Sequence, residues 1–299
     1  MIPKLVQRVL DSAIFSSARI PLYVWASLVS QVLIVVTGGV VRLTGSGLGC
    51  PTWPKCTEDS LVTVPEMGIH GIIEFGNRLL TFALLVIALL TLVTVLRAKD
   101  EGRNLRVPAV ALILGIVAQA VLGGITVLVQ LNPWIVGAHF VVSGVLIATA
   151  AVLLRRGLKL EKTEVSSLAR INSAAIVLVG WITVLVGVAV TGAGPHSGDA
   201  DTPRNGLDLE IWQHYHSYPG YTLLALIVLQ LWLTRNLTGS IRLVTWLLFT
   251  NVALQAIVGV IQARMGVPPL LVAIHLLGAS TAIALLTLQR VLTKAPAVQ

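Results

Sequence analysis

The heptapeptide Gln119–Ile125, QAVLGGI, returns later in the chain as Gln255–Ile261, QAIVGVI. A lone histidine follows each copy at the same distance along the chain, His139 after the first and His275 after the second. A motif that recurs with the same companion residue is typical of a tandem repeat. The pattern therefore predicts two related units, each with one histidine at a matched position.

A second pair of segments supports the repeat, since TGSG at residues 44–47 resembles TGAG at residues 191–194. Each segment follows a long apolar stretch. We expect two halves, residues 1–160 and 161–299, each with an even number of membrane crossings. Two such halves have the same orientation and are related by a pseudo-two-fold axis along the membrane normal.

The composition restricts the fold class independently of any motif. Of 299 residues, 56% are hydrophobic and 11% are charged, whereas soluble domains have about 25% charged residues. This excludes a soluble enzyme, a secreted disulfide scaffold and a disordered protein. We predict an all-α integral membrane protein with eight transmembrane helices in two tandem four-helix bundles. The eight apolar stretches are 22–43, 72–96, 107–129, 135–154, 171–191, 218–234, 242–263 and 270–290.

The net charge of +8 follows the predicted connections between these stretches. All but five of the 21 Lys and Arg residues lie in the termini or in connections on one side of the membrane; the exceptions are Arg42, Lys55, Arg78, Arg204 and Arg264. An excess of basic residues marks the cytoplasmic side. We therefore expect both termini in the cytoplasm of a bacterium. We expect the chain to interact with membrane lipid and not with nucleic acid.

All six histidines fall on the side predicted to face outward: His70, His139, His196, His214, His216 and His275. Histidines from two facing helices of a bundle can ligate one haem iron. His216, with His214 as a competitor, and His275 form such a pair in the second half. In the first half Asn77 stands where the partner of His139 is expected. This site either has an open position suited to a substrate or recruits His70, while His196 is expected to be a solvated loop residue.

Few charged residues remain near these histidines. Glu74 forms an ion pair with Arg78 four residues later, or it handles protons or a cationic intermediate near a pocket. Arg42 and Arg78 either bind carboxylates such as haem propionates or extend to the membrane interface. Cys50 and Cys56 form a disulfide or remain two free thiols.

The run GGVVRLTGSGLGCPTWPKC at residues 38–56 strongly resembles the haem A synthase family. Glu74, Asn77 and Arg78 stand at the position of that family's Glu-x-x-His-Arg motif, and the resemblance covers residues 20–292. Asn77 replaces a histidine that many members have, and Ser217 replaces an arginine. The resemblance leaves three readings: His70 substitutes, His139 holds the substrate alone, or the second ligand is transient.

The resemblance implies an oxidoreductase that converts the C8 methyl of haem O to the formyl of haem A, through successive hydroxylations and loss of water. It implies a haem b cofactor held by His216 and His275, and a haem O site near His139 and the catalytic Glu74. It also implies a disulfide between the two cysteines. Haem O synthase and the assembly of cytochrome oxidase are the implied partners. The electron acceptor is not identified, and a homo-oligomer is left open.

Two other classes of membrane protein compete with this interpretation. A haem b electron carrier or quinol oxidoreductase subunit shares the bundle, but it would have complete histidine pairs at different depths. A transporter built on a tandem repeat would have broken helices and charged residues near the midplane, where this sequence has mainly Gln119 and Gln255.

Overall fold

The computed structural model describes residues 12–295, and most of these residues lie in long helices. Residues 1–11 and 296–299, at the outer limits of the two predicted halves, lie outside the described residues. Each apolar stretch predicted from the sequence corresponds to one long helix. The helices are α1 Ile20–Leu43, α2 Gly68–Arg97, α3 Arg106–Leu128, α4 Pro133–Gly157, α5 Ser167–Ala193, α6 Leu209–Leu233, α7 Ser240–Arg264 and α8 Pro269–Val291.

Several helices begin before their apolar stretch because polar residues cap the first turn. Asp208 Oδ1 accepts the backbone N–H of Ile211 at 2.9 Å, so α6 begins at Leu209 and not near residue 218. A side chain that binds a free N–H at the start of a helix stabilises the helix by about 1 kcal/mol. Hydropathy alone does not register these polar first turns.

Within residues 12–295, seven of the eight helices are long and apolar enough to cross a membrane. The chain is therefore a multi-pass, all-α membrane protein, as predicted. The exception is α6, because Gln213, His214 and His216 near its start lower the mean hydropathy. Many large apolar side chains are exposed along the helices, Phe82 and Leu178 among them, as expected of a surface that faces lipid.

Packing divides the helices into two rings of four. In the first ring α1 packs against α2 and α4, and α3 packs against the same two helices. Helices α5 to α8 repeat this arrangement. The rings meet where α4 packs against α5 and α8, and where α8 also packs against α1. A buried apolar cluster that includes Val24, Leu153, Leu154, Ile283 and Leu292 fills this junction.

The two ends of the bundle differ, and we call them the loop end and the basic end. The loop end has the long connections 44–67 and 194–208, which are joined where Gly47 N–H donates to Gly198 O at 2.7 Å. The basic end has the Lys- and Arg-rich connections. There the short strands β1, Thr163–Glu164, and β2, Thr293–Lys294, pair in parallel.

Candidate functional site

In the second ring, His216 on α6 and His275 on α8 lie opposite each other. Their ring centroids are 6.2 Å apart and the ring planes are inclined by 75°. Each histidine lies about two turns from the loop end of its helix. A metal–imidazole nitrogen bond is about 2 Å long, so one metal ion between the rings can reach both.

A glycine on the preceding helix lies against each ring. A Cβ atom at Gly187 of α5 would be 2.8 Å from Cε1 of His216, and one at Gly259 of α7 would be 3.6 Å from Cε1 of His275. Only a residue without a side chain leaves this space to the imidazole at Gly187. The glycines therefore set how closely each helix approaches the histidine of the next one.

The Nδ1 atoms of His216 and His275 are buried without a hydrogen bond. The backbone of Thr183 lies close to the His216 ring. Buried polar atoms normally have a partner, so two unpartnered Nδ1 atoms on imidazoles that face each other need an explanation. Two facing histidines are a donor set that would suit a haem iron.

The same arrangement recurs in the first ring, with one change. A Cβ at Gly123 of α3 would be 3.2 Å from Cε1 of His139 on α4, and one at Gly38 of α1 would be 4.0 Å from Nδ2 of Asn77 on α2. His139 Nδ1 and Asn77 Oδ1 are both buried without hydrogen bonds. Gln119 Nε2 donates to the carbonyl of His139 at 2.9 Å.

The three other histidines lie outside these two sets. His70 is exposed at the start of α2, with Nδ1 2.9 Å from Ser46 Oγ. His196 Nε2 lies 2.8 Å from the carbonyl of Val267, so this half-buried residue links a long connection to the α7–α8 turn. His214 is exposed on α6. Among residues 12–295, no three His, Cys, Asp or Glu side chains gather into a metal site.

Glu74 on α2 is buried, with 5% of its surface exposed. Its Oε2 accepts the backbone N–H of Cys50 at 2.6 Å, and its Oε1 accepts Nε of Arg78 at 3.1 Å. The ion pair expected from the sequence is present and is shielded from water, where such pairs are stronger than on a surface. Glu74 thus connects α2 to the start of the disulfide loop, residues 50–56.

Arg78 donates hydrogen bonds to the backbone of the same loop. Its Nη1 donates to the carbonyls of Thr52 at 3.0 Å and Lys55 at 3.1 Å, and its Nη2 donates to the carbonyl of Cys50 at 2.9 Å. Together with the two bonds to Glu74, these account for all five N–H groups of the guanidinium. No donor remains for a propionate, so the expectation that Arg78 anchors haem does not fit this arrangement.

The disulfide loop reaches the first ring. Cys50 and Cys56 are bonded, with an S–S distance of 2.00 Å, which confirms the expected disulfide. Between them Trp53 lies on α3, where a Cβ at Gly124 would be 2.3 Å from Cδ2 of its ring. The adjacent Gly123 faces His139. Trp53 was not among the candidate residues, and the consecutive glycines of QAVLGGI were the available signal.

Arg42 lies at the loop end of α1, at the junction of the two rings. Its Nη2 donates to the carbonyl of Thr191 at 2.6 Å. Its Nε is buried without a hydrogen bond. Unlike Arg78, Arg42 therefore retains a donor for an anionic group.

Comparison with known proteins finds a matching family and several similar proteins. Residues 21–205 match the family COX15-CtaA, described as cytochrome oxidase assembly protein. This chain belongs to that family. It is similar to a protein named heme A synthase from Listeria welshimeri, with 24% identity over 265 residues, which cover 82% of this chain and 87% of the relative.

This chain is also similar, over shorter stretches, to two other proteins named heme A synthase. The one from Geobacillus thermodenitrificans is 26% identical over 148 residues, which cover 50% of this chain and 46% of the relative. The one from Halalkalibacterium halodurans is 29% identical over 126 residues, which cover 42% of each. The family match includes α1 to α5 and ends before α6.

Proposed function

We propose that this member of the family is a haem A synthase, an oxidoreductase that converts the C8 methyl of haem O to the formyl of haem A for cytochrome oxidase. One observation carries the proposal. His216 and His275 face each other in one ring, and His139 and Asn77 repeat their placement in the other. The similarity to proteins named heme A synthase supports it.

The two rings have different roles in this proposal. His216 and His275 hold a haem b cofactor in the second ring, and Gly187 and Gly259 leave space for the two imidazoles. Two histidines would hold the haem from both imidazole rings of the pair, which would suit electron transfer. When bound, this haem supplies one-electron redox chemistry beside the substrate site.

His139 would hold the substrate haem O in the first ring, and Asn77 stands where the second ring has a histidine. Asparagine is a poor iron ligand, so the substrate can enter and the product can leave. His70 is exposed and bonded to Ser46, and we therefore assign no ligand role to it. The free Nε of Arg42 suits a propionate.

Glu74 is the proposed catalytic residue. Conversion of a methyl to a formyl group consumes one water and releases four protons and four electrons, and the electrons must pass to an electron acceptor outside this chain. An ionised carboxylate has about four acceptor sites, and three of those on Glu74 are used by Cys50 and Arg78. The remaining site on Oε2 can bind water or accept a proton.

We also propose that α6 is an eighth span, which makes the fold two four-helix bundles related by a pseudo-two-fold axis. Helix α5 runs from the basic end to the loop end, and α7 runs in the same direction, so α6 must return the chain between them. The identical packing of the two rings supports this symmetry. With the basic end in the cytoplasm, the termini are cytoplasmic and the site faces outward.

The proposed partners follow from this chemistry. A haem O synthase must supply the substrate, and cytochrome oxidase assembly must take up the product. The family's description as a cytochrome oxidase assembly protein supports the second of these.

The test is haem chromatography after expression of the whole chain with a source of haem O. We expect haem A from the wild type, together with retained haem b. Glu74→Gln keeps the shape of the side chain but removes its charge, and we expect at least about a hundredfold less haem A. Glu66→Gln is the control, because Glu66 is exposed just before α2.

Two outcomes would contradict the proposal. A purified protein without any haem would exclude both the enzyme and the electron carrier. Haem b without haem A, in cells that contain haem O, would favour the electron carrier. The retained haem b of the second ring also shows whether Glu74→Gln has folded.

A further inference from the structure

A cavity of about 340 Å³ opens at the basic end, far along the helices from the histidines. It lies where the ends of α4 and α8 meet the connection that joins the two rings. Its lining residues are Val152, Arg155, Arg156, Lys162, Arg290, Val291 and Thr293. Neither the family resemblance nor the proposed reaction uses this cavity.

The cavity is strongly cationic. Four of its seven lining residues are Lys or Arg, and none of the seven is acidic. The two nearby carboxylates that form ion pairs bind lysines outside the lining, Glu164 with Lys294 at 3.1 Å and Glu101 with Lys159 at 3.6 Å. Within residues 12–295, no ion pair joins an acidic side chain to the four cationic residues of the lining, although Glu161 is adjacent to Lys162 in the sequence.

Most of the guanidinium N–H groups in the cavity remain available. Arg156 uses Nη1 on the carbonyl of Asn104 at 2.7 Å, and Arg290 uses Nη1 on Thr293 Oγ1 at 3.0 Å. Arg155 Nε is buried and has no hydrogen-bond partner. The three guanidinium groups therefore keep most of their donors for an anionic ligand.

The backbone around the cavity is fixed in place. Thr163 N–H donates to the carbonyl of Leu292 at 2.7 Å, and β1 then pairs with β2. This pairing places Lys162 and Thr293 beside the end of α4. The cavity is therefore present before a ligand binds, and its walls come from both rings.

We propose that this cavity binds an anionic phosphate group and thereby clamps the two rings together at the basic end. Planar guanidinium groups match phosphate oxygens in pairs. Cationic pockets between helices on the cytoplasmic side attract acidic phospholipids, and Val152 and Val291 supply an apolar wall for a lipid. Free phosphate has the same anionic chemistry without an apolar part.

The experiment uses the full chain, purified in detergent, and compares two phosphate sources. Native mass spectrometry measures retention of phosphatidylglycerol against phosphatidylcholine, and thermal unfolding measures the effect of inorganic phosphate. The test variant is Arg155→Gln with Arg290→Gln. The control is Arg19→Gln with Arg170→Gln, which removes two exposed charges at the same end outside the cavity.

We expect the wild type and the control to retain phosphatidylglycerol roughly tenfold more than the test variant does. A phosphate-dependent rise in unfolding temperature, lost in the test variant and without lipid retention, would assign the site to free phosphate. Equal retention of both lipids by all proteins, with no effect of phosphate, would overturn the proposal. If the double variant does not fold, Lys162→Gln repeats the test with an exposed side chain.

Discussion

At Asn77 an amide takes the position that an imidazole has at His216 in the second ring. Both side chains lie opposite a glycine of the preceding helix, and both have a buried atom without a hydrogen bond. The surroundings are thus alike, and the ligand strength of one side chain is the main difference. A weak ligand suits a haem that must be exchanged, and a strong pair suits one that stays.

The histidine pair yields a prediction at the scale of single residues. His216→Ala or His275→Ala should abolish the low-spin haem b spectrum, because each change removes one of the two proposed haem ligands. The measurement is the absorption spectrum of the purified, reduced protein. His214→Ala is the matched control, since His214 is on the same helix but is exposed, and it should keep the spectrum. Retention of the spectrum in both test variants would refute the ligand assignment.

The residue types of the site follow from the sequence, but the role of Arg78 does not. The spacing of Glu74 and Arg78 predicts their ion pair. It does not predict that Arg78 gives its other donors to Thr52, Lys55 and Cys50. These acceptors are backbone carbonyls, whose positions depend on how the loop folds and not on which side chains it has.

At the scale of elements, close approach between helices and loops depends on glycine. Gly124 of α3 leaves the space that Trp53 of the disulfide loop occupies, and Gly123 does the same for the ring of His139. The consecutive glycines thus let the loop and the histidine pack against neighbouring positions of one turn of α3. A movement of the loop would therefore change the packing of α3 in the first ring.

Gly124→Ala tests this contact between loop and helix. The added Cβ would overlap the Trp53 ring, so the disulfide loop should leave α3 and be cleaved faster in limited proteolysis. Gly76→Ala on α2 is the control, because a Cβ there meets nothing within 4 Å. It should leave cleavage unchanged and stabilise the helix by about 0.5–1 kcal/mol. Equal cleavage of both variants would show that Trp53 does not hold the loop.

The helices themselves are largely predictable, since apolar length determines them. Their starts are less so, because Asp208 and Ser166 add polar first turns through capping hydrogen bonds. The most informative helix was also the one whose hydropathy is too low to mark it as a membrane span. The polar residues that reduce the hydropathy of α6 include His216, so the weakness of its membrane signal and its candidate function have the same origin.

For the whole molecule, charge distribution yields a prediction of orientation. Cys50 and Cys56 are bonded to each other, so a single added cysteine is the only free thiol in the sequence. Asp59→Cys at the loop end should react with a membrane-impermeant maleimide in intact cells. Lys159→Cys at the basic end should react only after the membrane is opened. The reverse result would invert the proposed orientation, and the unmodified chain is the unlabelled control.

Two features of the whole molecule could not be predicted from the sequence. The cationic cavity combines residues from α4, from the connection after it and from the end of α8. The junction at the loop end joins Gly47 to Gly198 across the rings. Each depends on segments far apart in the chain, and neither a repeat nor a hydropathy pattern reports which of them meet.

The pairing of β1 with β2 has a practical consequence for handling this protein. A purification tag or fluorescent reporter attached directly after Val291 would replace Thr293 and Lys294, whose backbone closes the pair with Thr163 and Glu164. A tag that follows the natural tail would leave this strand in place. Low yield from a shortened chain would then reflect the loss of this strand pair between the rings and not a defect at the histidines.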